Sequence, residues 1–360
     1  IVMIRSLSPY YLSIPWVSPT TLLPCVSYTI SIWVWQGLKG SRPAQPEYLI
    51  TKTNSQELTS GSDDTVDIAR MISDYIDVPP TSGSVTGVYD SNSTYWVQWS
   101  YKYTDANGLE PTVEGETTKL FSRGYSYGFE GGNVETVTDA VLFQGSEFSA
   151  DRSSLYALPI ALSEIISTEV SIDSLPSGEI AYFNANATTD DSTKLSSVAW
   201  INLSETTTDD SVTLTVGGVQ VATIYIDSEC KYEPLDIFFV NKLGSQQTFT
   251  FFKEKKSRLS VESSEFESDR GQPSLGNHQF VRYNVQARGE FSVFTGFIDE
   301  SNNETIQQLL LSEKVWSYDG TNFTPLNIKT KSQEWKTQLN DKLINYKIDF
   351  EYSYNEINSI

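Results

Sequence analysis

Hydrophobic positions in this chain alternate with polar ones far more often than they recur at helical spacing, and the clearest case is Pro234 to Lys253. There Ile237 and Phe239 alternate with Phe238 and Val240, Phe249 and Phe251 alternate with Thr248 and Thr250, and Lys242-Leu243-Gly244-Ser245 lies between. Period-two alternation about a glycine-bearing turn predicts a β-hairpin with at least one buried face. Gly244 can take the positive φ of a short loop, and Asn241 and Ser245 are common turn residues.

The same period organises the N-terminal part. Tyr28, Ile30, Ile32 and Val34 share one face of a strand, and Tyr95, Val97, Trp99, Tyr101 and Tyr103 share one face of another that runs into a turn at Asp105-Ala106-Asn107-Gly108. Between them, Val66, Ala69, Ile72, Tyr75 and Ile76 follow an N-cap candidate at Asp63 or Asp64 and predict a short amphipathic helix, stopped by Pro79-Pro80. Residues 1–24 are apolar but broken by Pro9, Pro15, Pro19 and Pro24, which predicts an edge strand or an extended arm. Residues 1–145 thus read as an immunoglobulin- or fibronectin-like β-sandwich with an N-terminal arm and a short helix.

Residues 146–227 read as a small β-domain with short strands in Ser-, Thr- and Asp-rich surroundings. Its cleanest signal is a hairpin of Val212, Leu214 and Val216 against Val219, Val221 and Ile224, joined by Gly217-Gly218. Residues 228–360 read as a β-rich assembly domain: the hairpin above, a polar stretch over 254–279, strands from Phe280 to Ile298, a helix and a final strand. The helix follows an Asn303 cap, with Ile306, Leu309, Leu310 and Val315 on one side. In the final strand Ile344, Tyr346, Ile348, Phe350 and Tyr352 alternate with Asn345, Lys347, Asp349 and Glu351, which predicts a half-exposed strand open to pairing. The fold class is mainly β, and 360 residues suit two or three domains of roughly 100–150 residues.

Composition narrows the function. The chain has 25 Lys+Arg against 46 Asp+Glu, a net charge of −21, which argues against nucleic acid or an anionic membrane surface as its main partner. No apolar run is long enough to span a bilayer, and the first residues lack the continuous hydrophobic run of a secretory signal. Cys25 and Cys230, far apart in sequence, read as buried thiols rather than a disulfide framework.

The search for chemistry yields no catalytic, cofactor-binding or metal-ligating set. The single histidine, His278, lies in a predicted loop, and no zinc-protease, nucleophile-elbow or Gly-rich phosphate-binding motif occurs. Asp63-Asp64, Asp190-Asp191 and Asp209-Asp210 lack the spacing of an EF-hand loop and read as solvated turns. Trp33, Trp35, Trp96 and Trp99 suit either a core or, as the alternative, the flat platform of a carbohydrate-binding surface adhesin. The reading is therefore non-enzymatic.

Several C-terminal stretches resemble structural proteins of tailed bacteriophages: Phe239-Val240-Asn241-Lys242-Leu243-Gly244 with Phe249 to Lys253, Thr295-Gly296-Phe297-Ile298, Leu310 to Trp316, and Asn340 to Tyr346. The likeness covers about 228–360 and touches Ser8 to Gly37, where SPYYLSIPWVSP precedes IWVWQG. It implies a virion component of the tail, neck ring or baseplate that assembles with copies of itself and with other virion proteins, without nucleic acid or membrane insertion. Residues 1–24 and 340–360 are the expected assembly elements.

Overall fold

The computed structural model describes residues 2–16, 25–53, 63–81, 86–90, 93–105, 107, 114–137, 141–161, 169–172, 180–182, 196–205, 210–227, 231–268, 276, 278–335 and 343–357. The chain is mainly β, with multiple sheets and, among the described residues, two short α-helices. The first sheet has six strands in the order Tyr48–Thr53, Cys25–Trp35, Thr94–Asp105, Glu114–Ser122, Val2–Arg5, Glu135–Val137. Tyr28, Ile30, Ile32 and Val34 are buried on its inner face together with Val97, Trp99, Tyr103 and Phe121. Leu12 and Ile14, then Ile68, Ile72 and Ile76, pack against that face.

Two expectations for this region are corrected. Val2–Arg5 is neither an arm nor an edge: it pairs parallel with Glu114–Ser122 and antiparallel with Glu135–Val137, and Met3 and Ile4 are buried. Pro9 follows this strand and Pro15 ends the next, Tyr11–Pro15, which pairs on one side with Asp63–Asp67 and is the edge strand expected, so neither proline occupies a central ladder position. The expected helix is a single turn, Ala69–Ser73, because Asp63–Asp67 pairs as a strand with Tyr11–Pro15. Asp67, not Asp63 or Asp64, meets the helix start, its Oδ1 accepting from Ala69 N–H at 3.1 Å. Residues 17–24, and Ala106 and Gly108 of the predicted turn, lie outside the described residues.

The middle part forms a five-stranded sheet in the order Glu147–Asp151, Val219–Asp227, Ser211–Val216, Glu169–Ile172, Ile180–Tyr182. The Gly217-Gly218 hairpin forms as predicted, with φ of 60° and 78° at its two glycines, conformations that favour glycine over any other residue. A three-stranded sheet of Leu155–Ala161, Ser196–Asn202 and Gly87–Asp90 stands between regions. Alternate residues serve two cores: Tyr156, Leu158, Ile160 and Ile201 pack with the middle sheet, whereas Ala157, Val198 and Trp200 join the first core.

The C-terminal sheet has seven strands in the order Gln246–Phe251, Leu235–Val240, Val315–Tyr318, Phe323–Ile328, Lys347–Tyr352, Phe280–Phe294, Lys256–Glu267. The hairpin of Leu235–Val240 and Gln246–Phe251 is buried on both faces. Ile237, Phe239, Phe249 and Phe251 enter the C-terminal core with Phe291, Phe350, Ile306 and Leu309. Phe238 and Val240 point the other way into the first core, where the Phe238 ring lies 5.3 Å from Trp200. Each such aromatic contributes about 1.5–3 kcal/mol by burial, so the hairpin ties two cores together.

Three further expectations are adjusted. The helix spans Asn303–Leu310, entered through a 3-10 turn at Glu300–Asn302 in which Asp299 Oδ1 accepts from Ser301 N–H; Val315 begins a strand instead. The alternation expected of the final strand shows in the burial of Ile344, Tyr346, Ile348 and Phe350, but the segment forms two strands, Leu343–Ile344 against Ile298–Asp299 and then Lys347–Tyr352. It is not open to pairing, however, because Lys347–Tyr352 lies between Phe323–Ile328 and Phe280–Phe294. Finally, the polar stretch 254–279 contains the twelve-residue strand Lys256–Glu267.

Candidate interaction surface

The strands Lys256–Glu267 and Phe280–Phe294 form an antiparallel ribbon whose register runs from Lys256↔Ser292 to Glu267↔Phe280. Along Phe280–Phe294 the neighbouring strand Lys347–Tyr352 pairs with Glu290–Phe294, so among the described residues Phe280–Gly289 has Lys256–Glu267 as its only strand partner. Nine strand residues, Leu259 to Glu267, accompany that outer half, a reach of roughly 30 Å at the usual rise. Leu259, Val261, Phe266, Phe280 and Tyr283 are all exposed on it. A register shift at Glu262/Ser264 is matched by Asn284, whose φ of 50° fits the left-handed position of a bulge, and bulges sharpen strand twist.

The ribbon is held by its own side chains. Arg282 donates from Nε and Nη2 to Ser263 Oγ at 3.1 and 3.0 Å, and the Phe266 and Tyr283 rings meet edge-on at 5.7 Å. At its base Glu290 accepts from Lys329 and Arg258. These two cations hold its carboxyl at a pKa of about 2, below the ordinary carboxylate range. Arg288 extends the cluster to Glu351 at 3.4 Å and to Asn355 Oδ1 at 3.1 Å.

The two edges of the sheet differ. Gln246–Phe251 is covered: Thr248 Oγ1 accepts from Ala157 N–H at 3.0 Å, and Gln246 Oε1 accepts from Thr81 N–H at 2.9 Å. Lys256–Glu267 has no strand on its outer side among the described residues. It therefore offers a row of backbone donors and acceptors for strand addition. The ribbon strands carry Lys256, Arg258, Arg282 and Arg288 against Glu262, Glu265, Glu267 and Glu290, a charge balance of zero in a chain of net charge −21.

The ribbon's sheet is anchored to the first region through the hairpin turn. Gly244, at a φ of 81°, lies so close to residues 123–124 that a Cβ would sit 2.7 Å from their backbone. Tyr125 N–H donates to Lys242 O at 2.9 Å, and Asn241 Oδ1 accepts from the Leu243 and Ser245 N–H groups. The buried Lys242 ammonium pairs with Glu130 at 2.9 Å and lies 3.8 Å from the Tyr127 ring centre, while Arg5 reaches Glu130 at 3.2 Å. Burial alone would raise the Glu130 carboxyl, but hydrogen bonds from Lys242 and Tyr127 N–H, with the charges of Lys242 and Arg5, hold it below its ordinary value.

The residues considered for chemistry are not brought together. His278 is exposed, beyond the last ribbon pair. Trp35, Trp96 and Trp99 are buried and Trp33 is half-buried with the Arg42 guanidinium 4.5 Å from its ring centre, so these four do not form a flat platform. Asp63 accepts from Ser13 Oγ at 2.6 Å, and Asp64 pairs with Lys52 at 2.5 Å, which makes them strand residues rather than solvated turns. Asp190, Asp191, Asp209 and Cys230 lie outside the described residues, whereas Cys25 is buried in the first core. Among the described residues no group of three His, Cys, Asp or Glu could hold a metal ion.

Comparison with known proteins returns no matching family model, curated protein or solved structure.

Proposed function

We propose that this chain is a non-enzymatic structural protein of a tailed phage virion, present in multiple copies in the tail, neck ring or baseplate. The observation that carries the multi-copy reading is the ribbon, whose outer strand has no further strand beside it among the described residues and whose exposed apolar residues include Leu259 and Val261. Its occupant is a second copy of this chain. Copies of net charge −21 repel one another, and a charge-neutral ribbon is where that repulsion is weakest. A cyclic assembly uses two different complementary surfaces, and an edge strand supplies one. The phage assignment rests on the sequence resemblance over 228–360 and the N-terminal stretch.

Immunogold electron microscopy of particles from the source culture, with antibody to this chain, tests the assignment. Label on tails, necks or baseplates is the expected result. Label on cell envelopes with bare particles would overturn it in favour of a surface adhesin.

A further inference from the structure

Beside the base of the ribbon, a cleft of about 790 Å³ opens where the middle strands meet the C-terminal sheet. That volume lies within the range of small-molecule sites, which concentrate where structural units meet. Six separate segments line it, and its wall is rich in hydroxyl and amide groups, among them Ser153, Asn202, Ser204 and Thr324.

Asp236 lies within this lining. Its Oδ1 accepts from Thr250 Oγ1 at 2.7 Å and Ser154 Oγ at 2.9 Å, and Leu155 N–H supports it as well. A carboxylate has about four acceptor sites, so three protein donors fix its orientation and leave capacity for a ligand hydroxyl. Tyr352 and Tyr354 stack at 5.4 Å with an interplanar angle of 29°, and Tyr354 is exposed. An oriented carboxylate, amide and hydroxyl groups, and a tyrosine face match the alternating hydroxyl edge and apolar C–H face of a sugar ring.

Charge selects among ligands. Glu233, Asp236 and Asp319 face one ammonium, Lys255, which disfavours anions. Asp319 is occupied in capping its own turn, accepting from the Thr321 and Asn322 N–H groups at 2.8 and 2.7 Å. A divalent cation therefore lacks a converging set of free carboxylates.

We propose that this cleft binds a neutral saccharide, with Tyr354 stacking on the sugar and Asp236 and Asn202 hydrogen-bonding its hydroxyls. The site borders the base of the ribbon but includes no residue of its outer half and none of the four tryptophans, and it does not depend on the assembly reading.

A glycan array holding neutral glucose, galactose, mannose and N-acetylglucosamine oligomers beside sialylated and sulfated ones tests it on the full chain. The expected result is retention on neutral glycans, weakened at least about tenfold in both Tyr354→Ala and Ser204→Trp, the second of which fills the cleft from an exposed position; tenfold corresponds to about 1.4 kcal/mol. Trp33→Ala is expected to bind as the parent does. Circular dichroism confirms that each variant is folded, and either cleft variant alone suffices. Absence of neutral-glycan binding, preference for acidic glycans, undiminished binding in a folded cleft variant, or loss in folded Trp33→Ala would overturn the proposal.

Discussion

Two hairpins of one sheet, adjacent in sequence, have opposite fates. Leu235–Val240 with Gln246–Phe251 is buried on both faces and joins two cores, whereas most of Lys256–Glu267 with Phe280–Phe294 is exposed. The backbone pairing is the same in kind, so the difference lies in what the side chains meet. The first hairpin gives the molecule its cohesion. The second contributes little to any core beyond its base and leaves an open edge, the arrangement suited to meeting another chain.

The largest expected effect is therefore in the buried hairpin. Phe238→Ala removes a ring packed on Trp200, Tyr318 and Phe323 and is expected to cost about 3–5 kcal/mol in urea unfolding, with Trp200→Ala showing strong coupling in a double-mutant cycle. Additive losses would mean that Phe238 does not fasten the hairpin to Trp200 in the first core.

Next in size is a pH effect from the same hairpin. Burial pushes the Asp236 carboxyl up to about 6, against an ordinary 3.8, despite donors that act to lower it. Between those values the folded state binds the proton more tightly than the unfolded chain, so stability falls as pH rises through this window. The change is up to roughly 3 kcal/mol by the linkage relation, and Asp236→Asn is expected to flatten it. Glu290 has the opposite sign: its contribution is present above pH 4.5 and is lost as pH falls towards 2. Denaturant midpoints measured across pH 3 to 7 would separate the two, since only the lower window should vanish in Glu290→Gln.

Gly244→Ala comes third. Its φ of 81° carries a strain of roughly 1–3 kcal/mol for a non-glycine residue, and the new Cβ meets the 123–124 backbone. Thermal unfolding is expected to show at least that loss, whereas Gly320→Ala, at a φ of 90° but in open space, shows the strain alone.

Much of this architecture was legible in the pattern of residues. The alternation at Tyr28 to Val34, at Tyr95 to Tyr103 and at Ile237 to Phe251 marks strands because each buries at least one face, and Gly217-Gly218 marks a turn because its backbone requires glycine. What escaped did so for physical reasons. Lys256–Glu267 has no hydrophobic period because neither of its faces is covered for most of its length. Val2–Arg5 is too short for a period to show, and its interior place depends on Glu114–Ser122 and Glu135–Val137, more than a hundred residues away. The cleft around Asp236 is assembled from six segments, and no local spacing reports such a meeting.

The smallest expected effect on stability accompanies the most informative one on assembly. Leu259 and Val261 are exposed, so replacing both with lysine is expected to change unfolding free energy by no more than about 1 kcal/mol. Lysine on an exposed edge strand opposes pairing with another chain. Sedimentation velocity of the full chain beside this double variant tests the central claim most directly. The account predicts a concentration-dependent oligomer for the parent and a folded monomer for the variant; a parent that stays monomeric, or a variant that assembles equally well, would contradict it.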